Sequence, residues 1–306
     1  MGRVLFFIFI FIVLAFVFNS LALVHSQDLS KVKQEVTKLS DTVYLLVPNP
    51  PLGGNLAVSI GGDGILLVDD QMMPMTPGIR EAIAGLQEGN IEYLINSHYH
   101  YDHAGGNEAF GAQSVIVAHH NVHKRLAEGR EAGARFIEGT RPPEALPRIT
   151  FEDNVRFYWN GEAIDVIHFP YGSHTDGDSV IYFRDSNVVH AGDQYVNLNG
   201  FPYIDRDVGG SATGLRDNMA ALIDIIDDET KVIPGHGPLA TKADLKAYHG
   251  VVTDSIAVVQ ALKEKGENLK AIQAVGLPER LAGWWALCLK RCGSSLFLTA
   301  SMTEAV

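Results

Sequence analysis

Cysteine is almost missing from this 306-residue sequence; Cys288 and Cys292 are the only two. Their spacing fits no zinc ribbon, and one pair near the C-terminus makes no disulfide framework. Positive charge is also scarce. Lys and Arg total 24 against 36 Asp and Glu, a net charge of −12. A nucleic-acid binder carries a basic surface to meet phosphates, so this balance excludes that class and points to a small-molecule partner. No Pro/Ser-rich linker, internal repeat or low-complexity tract divides the chain, which argues for one large domain over two small ones. No Ser or Cys nucleophile motif is present either, which removes the commonest routes to covalent hydrolysis.

A long apolar run occurs once, at the start. After Arg3, residues 4–18 carry no polar side chain. A stretch of about 15 suits a signal peptide better than a membrane span, which needs about 20. Val24-His25-Ser26 offers a small-residue exit. The expected organisation is a signal peptide over 1–26, a catalytic domain over 27–282 and a divergent tail over 283–306. The mature protein is expected to be secreted or periplasmic, with no stable membrane association after cleavage; an uncleaved signal anchor is the alternative, since apolar character resumes over residues 21–24.

Apolar runs bounded by Gly and Asp read as strands. They cover 42–47, 55–60, 64–70, 91–97 and 114–120 in the first half, and 163–169, 178–183, 187–192 and 231–237 in the second. Helices are expected over 76–87, about 121–131, 211–226, about 241–265 and again near 269. Residues 133–150 lack periodicity and read as a loop. Strands grouped with strands, with helices returning between them, suggest two packed sheets with helices outside.

Metal-competent side chains gather where these strands end. His98, His100, Asp102 and His103 follow the strand at 91–97. His174 and Asp176 precede the strand at 178–183. Asp193 follows 187–192, and His236 follows Pro234. Neutral imidazole and carboxylate are the usual donors for zinc and similar divalent ions. Alternation in an extended segment turns His98 and His100 to one side, leaving Asp102 and His103 for a second position. A structural zinc takes four ligands, and this set exceeds four. Two ions sharing a bridging carboxylate would use them.

The segment "HYHYDH" (98–103) resembles the signature of the metallo-β-lactamase superfamily. "GSHTDGDSVIYF", "VVHAGD" and "PGHG" follow in that family's order, and "GNLAVSIGGDGILLVDD" is similar to its first hairpin. The resemblance covers about residues 38 to 280. It implies an α+β fold, a four-layer αββα sandwich, with two divalent ions, expected as Zn2+, at one edge. It implies His98, His100 and His174 on the first ion, Asp102, His103 and His236 on the second, and Asp193 bridging or close to both. Asp69 matches a position that supports the ligand loop. Asp176 matches no ligand and drops out.

The expected activity is a metallo-hydrolase in which a hydroxide held between the ions attacks an ester, lactone, amide or β-lactam carbonyl. Asp102 is a candidate proton relay. Tyr195, Phe201 and Tyr203, close after Asp193, are candidates to line the substrate pocket. Two departures bear on the substrate. The best-known β-lactam-hydrolysing members have Cys where this chain has Asp193, and many have Lys where it has Val196. Asp193 with His103 instead resembles glyoxalase II-like thioesterases, the first alternative. A mononuclear-iron sulfur dioxygenase is the second, and would leave His103 and His236 unemployed. A metal-binding protein without catalysis is the third. His119, His120 and His123 read as a helix start with a solvated face, and His168 and His190 as groups inside apolar strands.

Overall fold

A computed structural model describes residues 28–132, 139–198, 200–276, 278 and 281. The signal peptide expected over 1–26 lies outside these residues, as does the tail expected over 283–306.

The first sheet has seven strands in chain order. They are β1 (Lys33–Lys38), β2 (Val43–Asn49), β3 (Leu56–Ser59), β4 (Ile65–Val68), β5 (Ile91–Ile95), β6 (Val115–His119) and β7 (Ile149–Phe151). Pairing is antiparallel from β1 to β4 and parallel from β4 to β7. The second sheet contains β8 (Asn154–Trp159), β9 (Glu162–Ile167), β10 (Val180–Phe183), β11 (Val188–His190), β12 (Lys231–Ile233) and β13 (Ala240–Thr241). Its spatial order runs β13-β12-β11-β10-β9-β8, with one parallel pair, β11 with β12.

Strands buried on both faces need apolar residues throughout, and β3, β4, β10 and β11 have no exposed position. Leu45, Ala57, Leu66, Val68 and Ile95 from the first sheet meet Ile164, Val166, Ile181, Phe183 and Ile233 from the second. That contact is the central layer. The outer face of the first sheet packs on Ile79 and Ile83 of the helix Thr76–Ala84. On the other side, Leu215, Met219 and Leu222 of the helix Ala212–Ile225 and Leu245, Tyr248 and Val252 of the helix Lys242–Glu264 cover the second sheet. The order helix, sheet, sheet, helix is the four-layer sandwich expected from the sequence.

Two helix starts show how local sequence sets these boundaries. The Ser211 side chain accepts from Gly214 N at 2.9 Å, the expected cap. Thr241 and Asp244 form a reciprocal capping box on the long helix. The loops after β5, before β10, after β11 and after β12 then open at one edge of the sandwich. Polar backbone bonds stitch the two sheets there: Ser179 N donates to Ser97 O at 2.8 Å, and Asn55 N to Gly235 O at 2.7 Å.

Candidate metal centre

Seven side chains from four loops meet at this edge. His98, His100 and His174 form one group of possible metal ligands, and Asp102, His103 and His236 form another. His98, His103 and Asp193 form a third, which joins the two. His174 Nε2 lies 2.8 Å from His100 Nδ1 and 3.2 Å from His98 Nε2. In the second group, His236 Nε2 lies 3.2 Å from both His103 Nε2 and Asp102 Oδ2. Donors about 2.0–2.1 Å from a tetrahedral ion stand roughly 3.3 Å from one another, so both groups have the dimensions of a zinc-sized site. The two oxygens of Asp193 divide between them. Oδ1 lies 3.2 Å from His103 Nε2, and Oδ2 lies 3.6 Å from His174 Nε2.

The outward bonds of the rings decide which nitrogens point inward with lone pairs. His174 Nδ1 meets the carbonyl of Tyr203, which can only accept, so Nδ1 carries the proton and Nε2 does not. His103 Nδ1 donates to Asp69 Oδ2 at 2.8 Å. His100 Nε2 donates to Asp205 Oδ2 at 3.1 Å, leaving Nδ1 inward. Ser97 Oγ gives its proton to Asp69 Oδ2 at 2.7 Å and therefore accepts from His98 Nδ1 at 3.1 Å. His98, His100 and His174 thus aim bare nitrogens at one another, while His103 Nε2 faces the Asp193 carboxylate. Facing lone pairs a hydrogen-bond length apart repel unless a cation stands between them. The donor set fits divalent metal ions for that reason.

Electrostatics agree. Burial, with His103, His174 and His100 around it, holds the His98 imidazole well below its usual pKa. Burial and His100 bring His174 down to about 4. Both rings are therefore neutral donors at physiological pH. Burial also opposes a charge on His103, yet Asp193 and Asp102 outweigh it and push this ring up. Burial works against the Asp193 carboxylate, but His236 and His103 hold it well below the carboxylate range. Without metal the second group would hold protons that an incoming ion must displace.

Asp69 supports the first ligand loop as expected and does so from a left-handed backbone, with φ of 59°. Its Oδ1 accepts from Ser97 N at 2.7 Å, while Oδ2 serves Ser97 Oγ and His103. One buried carboxylate thus orients ligands in both groups. Glycines give the rings room. A Cβ on Gly54 would lie 2.4 Å from His103 Cε1, and one on Gly235 would lie 1.9 Å from Asp193 Oδ1.

The site opens into a cavity of about 480 Å³ lined by His100, Tyr101, Asp102, His174, Asp193 and Tyr203. Of the three aromatic residues expected to line it, Tyr203 does. Tyr195 and Phe201 do not: both are buried in the core under the second sheet, Tyr195 with its ring 5.1 Å from Tyr248. Sequence adjacency to Asp193 misled here, because the chain enters the core straight after the short turn Gly192–Gln194. Tyr101 is the wall residue the sequence reading missed, as are Tyr99 and Asp205 behind the first group. Asp176 sits apart, paired with Arg125.

Four other histidines take structural roles. His119 accepts from Asn121 N at 3.3 Å and stacks on His168, ring centroids 3.8 Å apart. His123 donates to Pro147 O at 2.9 Å, and His190 to Asn55 O at 3.0 Å. None of these belongs to a possible ligand group among the described residues.

The family model described as metallo-beta-lactamase superfamily matches residues 51–237. The hydroxyacylglutathione hydrolase of Pelagibacter ubique (strain HTCC1062) is 25% identical over 197 residues, 63% of this chain and 73% of that protein. The beta-lactamase-like protein 2 homolog of Caenorhabditis elegans is 24% identical over 221 residues, 68% of this chain and 66% of its own. Among solved structures, a metallo-beta-lactamase from Pontibacter korlensis superposes with a TM-score of 0.59 at 20% identity, over 72% of this chain and 100% of that one.

Proposed function

Because the chain belongs to the metallo-beta-lactamase superfamily, we propose that it is an exported hydrolase that binds two zinc ions and cleaves a neutral ester or lactone. The observation that carries this reading is the convergence of seven donors on two adjoining positions beneath one open cavity. When bound, two divalent ions would polarise a substrate carbonyl and lower the pKa of a water to about 7. His98, His100 and His174 would hold one ion. Asp102, His103 and His236 would hold the other, with one Asp193 oxygen turned to each.

The chain's own groups supply the rest. Tyr101 and Tyr203 form aromatic walls against which an acyl or alkyl group can pack. The Asp102 side chain is 37% exposed beside the cavity, and His103 and His236 hold its carboxyl below the usual range, so it serves as a hydrogen-bond acceptor there more readily than as a proton carrier. Among the described residues no Lys or Arg lines the cavity, and Val196 is buried. A substrate carboxylate, as in a β-lactam, would find no cationic side chain on the described cavity wall to pair with, which favours neutral substrates. The name of the Pelagibacter relative supports a second reading, thioester hydrolysis. The case for export rests on the apolar run at residues 4–18.

The test is purification without added metal, elemental analysis and a panel of a chromogenic cephalosporin, an aryl ester, a lactone, a thioester and a phosphodiester. Two zincs per chain and chelator-sensitive ester or lactone turnover are expected. Thioester turnover alone would select the second reading. Two bound zincs with no member of the panel cleaved would overturn the hydrolase assignment.

A further inference from the structure

Behind the first ligand group lies a polar contact that no metal ligand explains. Tyr99 stands between His98 and His100 in sequence, in a segment that bends at residues 97–99, and its ring centroid lies 4.6 Å from that of His100. It is 1% exposed and packs on Ala118, Val122 and Leu126, and on Val208. Its hydroxyl donates to Asp205 Oδ2, the same oxygen that accepts from His100 Nε2. Asp205 is fully buried. A buried carboxylate is costly unless donors surround it, so its place here calls for a role.

The segment that carries Asp205 also holds a second ligand. Tyr203 O accepts from His174 Nδ1, and Asp205 N donates to His174 O at 2.8 Å. The turn closes when Gly210 N donates to Asp205 O at 2.8 Å. Residues 203–210 therefore grip two of the three imidazoles of the first group, and the same segment presents Tyr203 to the cavity. The contacts of His103 and His236 run instead to Asp69, Asp102 and Asp193.

We infer that Tyr99 and Asp205 are positioning residues that fix His100 for the first metal ion and tie the Tyr203 wall of the cavity to that ion. The inference rests on the two-ion reading proposed above. Asp205 keeps the proton on His100 Nε2, so Nδ1 stays bare and inward. Tyr99 supplies the second donor that holds the carboxylate in place. Binding of the first ion and seating of the cavity wall are then one event.

Tyr99→Phe is the discriminating variant, since it removes only the hydroxyl and keeps the packed ring. Asp205→Asn is the stronger one. Zinc competition against a chromophoric chelator gives the two dissociation constants, and cadmium-113 NMR gives one resonance per bound ion. His236→Ala marks the second ion. Loss of a partner that orients a ligand costs about 10–100-fold in metal affinity. Tyr99→Phe is expected to weaken one constant within that range and shift the resonance that His236→Ala leaves. Hydrogen exchange provides a readout free of activity: zinc should slow the Asp205 and Gly210 amides in the parent protein and much less in Tyr99→Phe. If Asp205→Asn does not fold, Tyr99→Phe still decides. Two ions in the parent with both constants and the exchange response unchanged in Tyr99→Phe overturn this inference alone. A parent protein that binds no zinc overturns it together with the function proposed above.

Discussion

Gly54→Ala should cost the second metal ion although Gly54 is no ligand. An alanine Cβ there would lie 2.4 Å from His103 Cε1 and 2.7 Å from Nδ1. Carbon atoms in contact sit about 3.5–4.0 Å apart, so ring and methyl must separate by at least about 1.1 Å. The backbone is held on both sides: Gly54 N donates to Asp102 O at 3.1 Å, and Gly54 O accepts from Gln71 Nε2 at 2.8 Å. The ring must therefore do most of the moving, and that breaks its 2.8 Å bond to Asp69. Metal–ligand distances tolerate only about 0.2 Å, so a displaced His103 stops being a ligand. We expect the second zinc to bind at least about 100-fold more weakly, about 2.8 kcal/mol. Gly53→Ala is the matched control. Its Cβ would meet Gln71 Cγ and Met75 Sδ at 3.3 Å, and both belong to side chains that can yield. Elemental analysis and chelator competition read the ions, and circular dichroism confirms folding. A folded Gly54→Ala protein that binds both ions like the parent would refute the reasoning.

Other perturbations test other parts. Stripping the metal should lower the melting temperature, because ions that bind only the folded chain add about 2.7 kcal/mol at a hundredfold excess over Kd; superimposable melts with chelator and with zinc would contradict a site of this kind. Tyr203→Ala should keep its metal, since His174 is held by the backbone carbonyl at 203, and should raise KM for aryl esters several-fold more than it lowers kcat; an unchanged KM would remove Tyr203 from substrate contact. Asp165 lies between Arg156 and Arg184, and the Arg156 guanidinium above all keeps its carboxyl below the usual range. Its contribution to stability is present above the unfolded carboxyl pKa and is lost as pH falls through the lower folded one. The stability gap between parent and Asp165→Asn should be full at pH 7 and shrink below about pH 4; a gap of constant size in chemical denaturation across that range would refute it.

The strands that build the central layer were legible because burial on both faces demands unbroken apolar runs, as in β4 and β10. The strand β1, "KQEVTK", was not, because an edge strand with one partner exposes most of its side chains and loses the apolar signal. β8, "NVRFYW", alternates cleanly over only six residues, with Arg156 on the exposed side of the pattern and paired to Asp165 on the neighbouring strand. The candidate ligands were visible because histidines and aspartates at strand ends are scarce and ordered. Their supports were only partly visible. Asp69 sits in a recognisable motif, whereas Asp205 sits in "GFPYIDRD", where nothing in the local pattern marks a buried carboxylate. Its partner Tyr99 was hidden for a different reason: between two histidines it reads as a spacer, and only the third dimension shows what it touches.

The candidate ligands divide by origin, and that division ties completion of the site to the assembly of the sandwich. His98, His100, Asp102 and His103 follow β5 of the first sheet, while His174, Asp193 and His236 come from loops of the second. Neither sheet alone can complete either group, since His174 joins the first and His236 the second. What brings the halves into register is apolar: the layer containing Leu66, Ile95, Ile181 and Ile233 lies directly beneath the loops. Asn55 then fastens the seam, donating through Nδ2 to Pro234 O at 2.9 Å and Gly237 O at 2.8 Å on either side of His236. Burial in the central layer and the seam bonds together set the register of the loops. Buried carboxylates and inward lone pairs oppose that assembly until a cation arrives. A chain with a well-packed central layer can hold the candidate ligands near one another, and an ion that bound there would relieve that opposition.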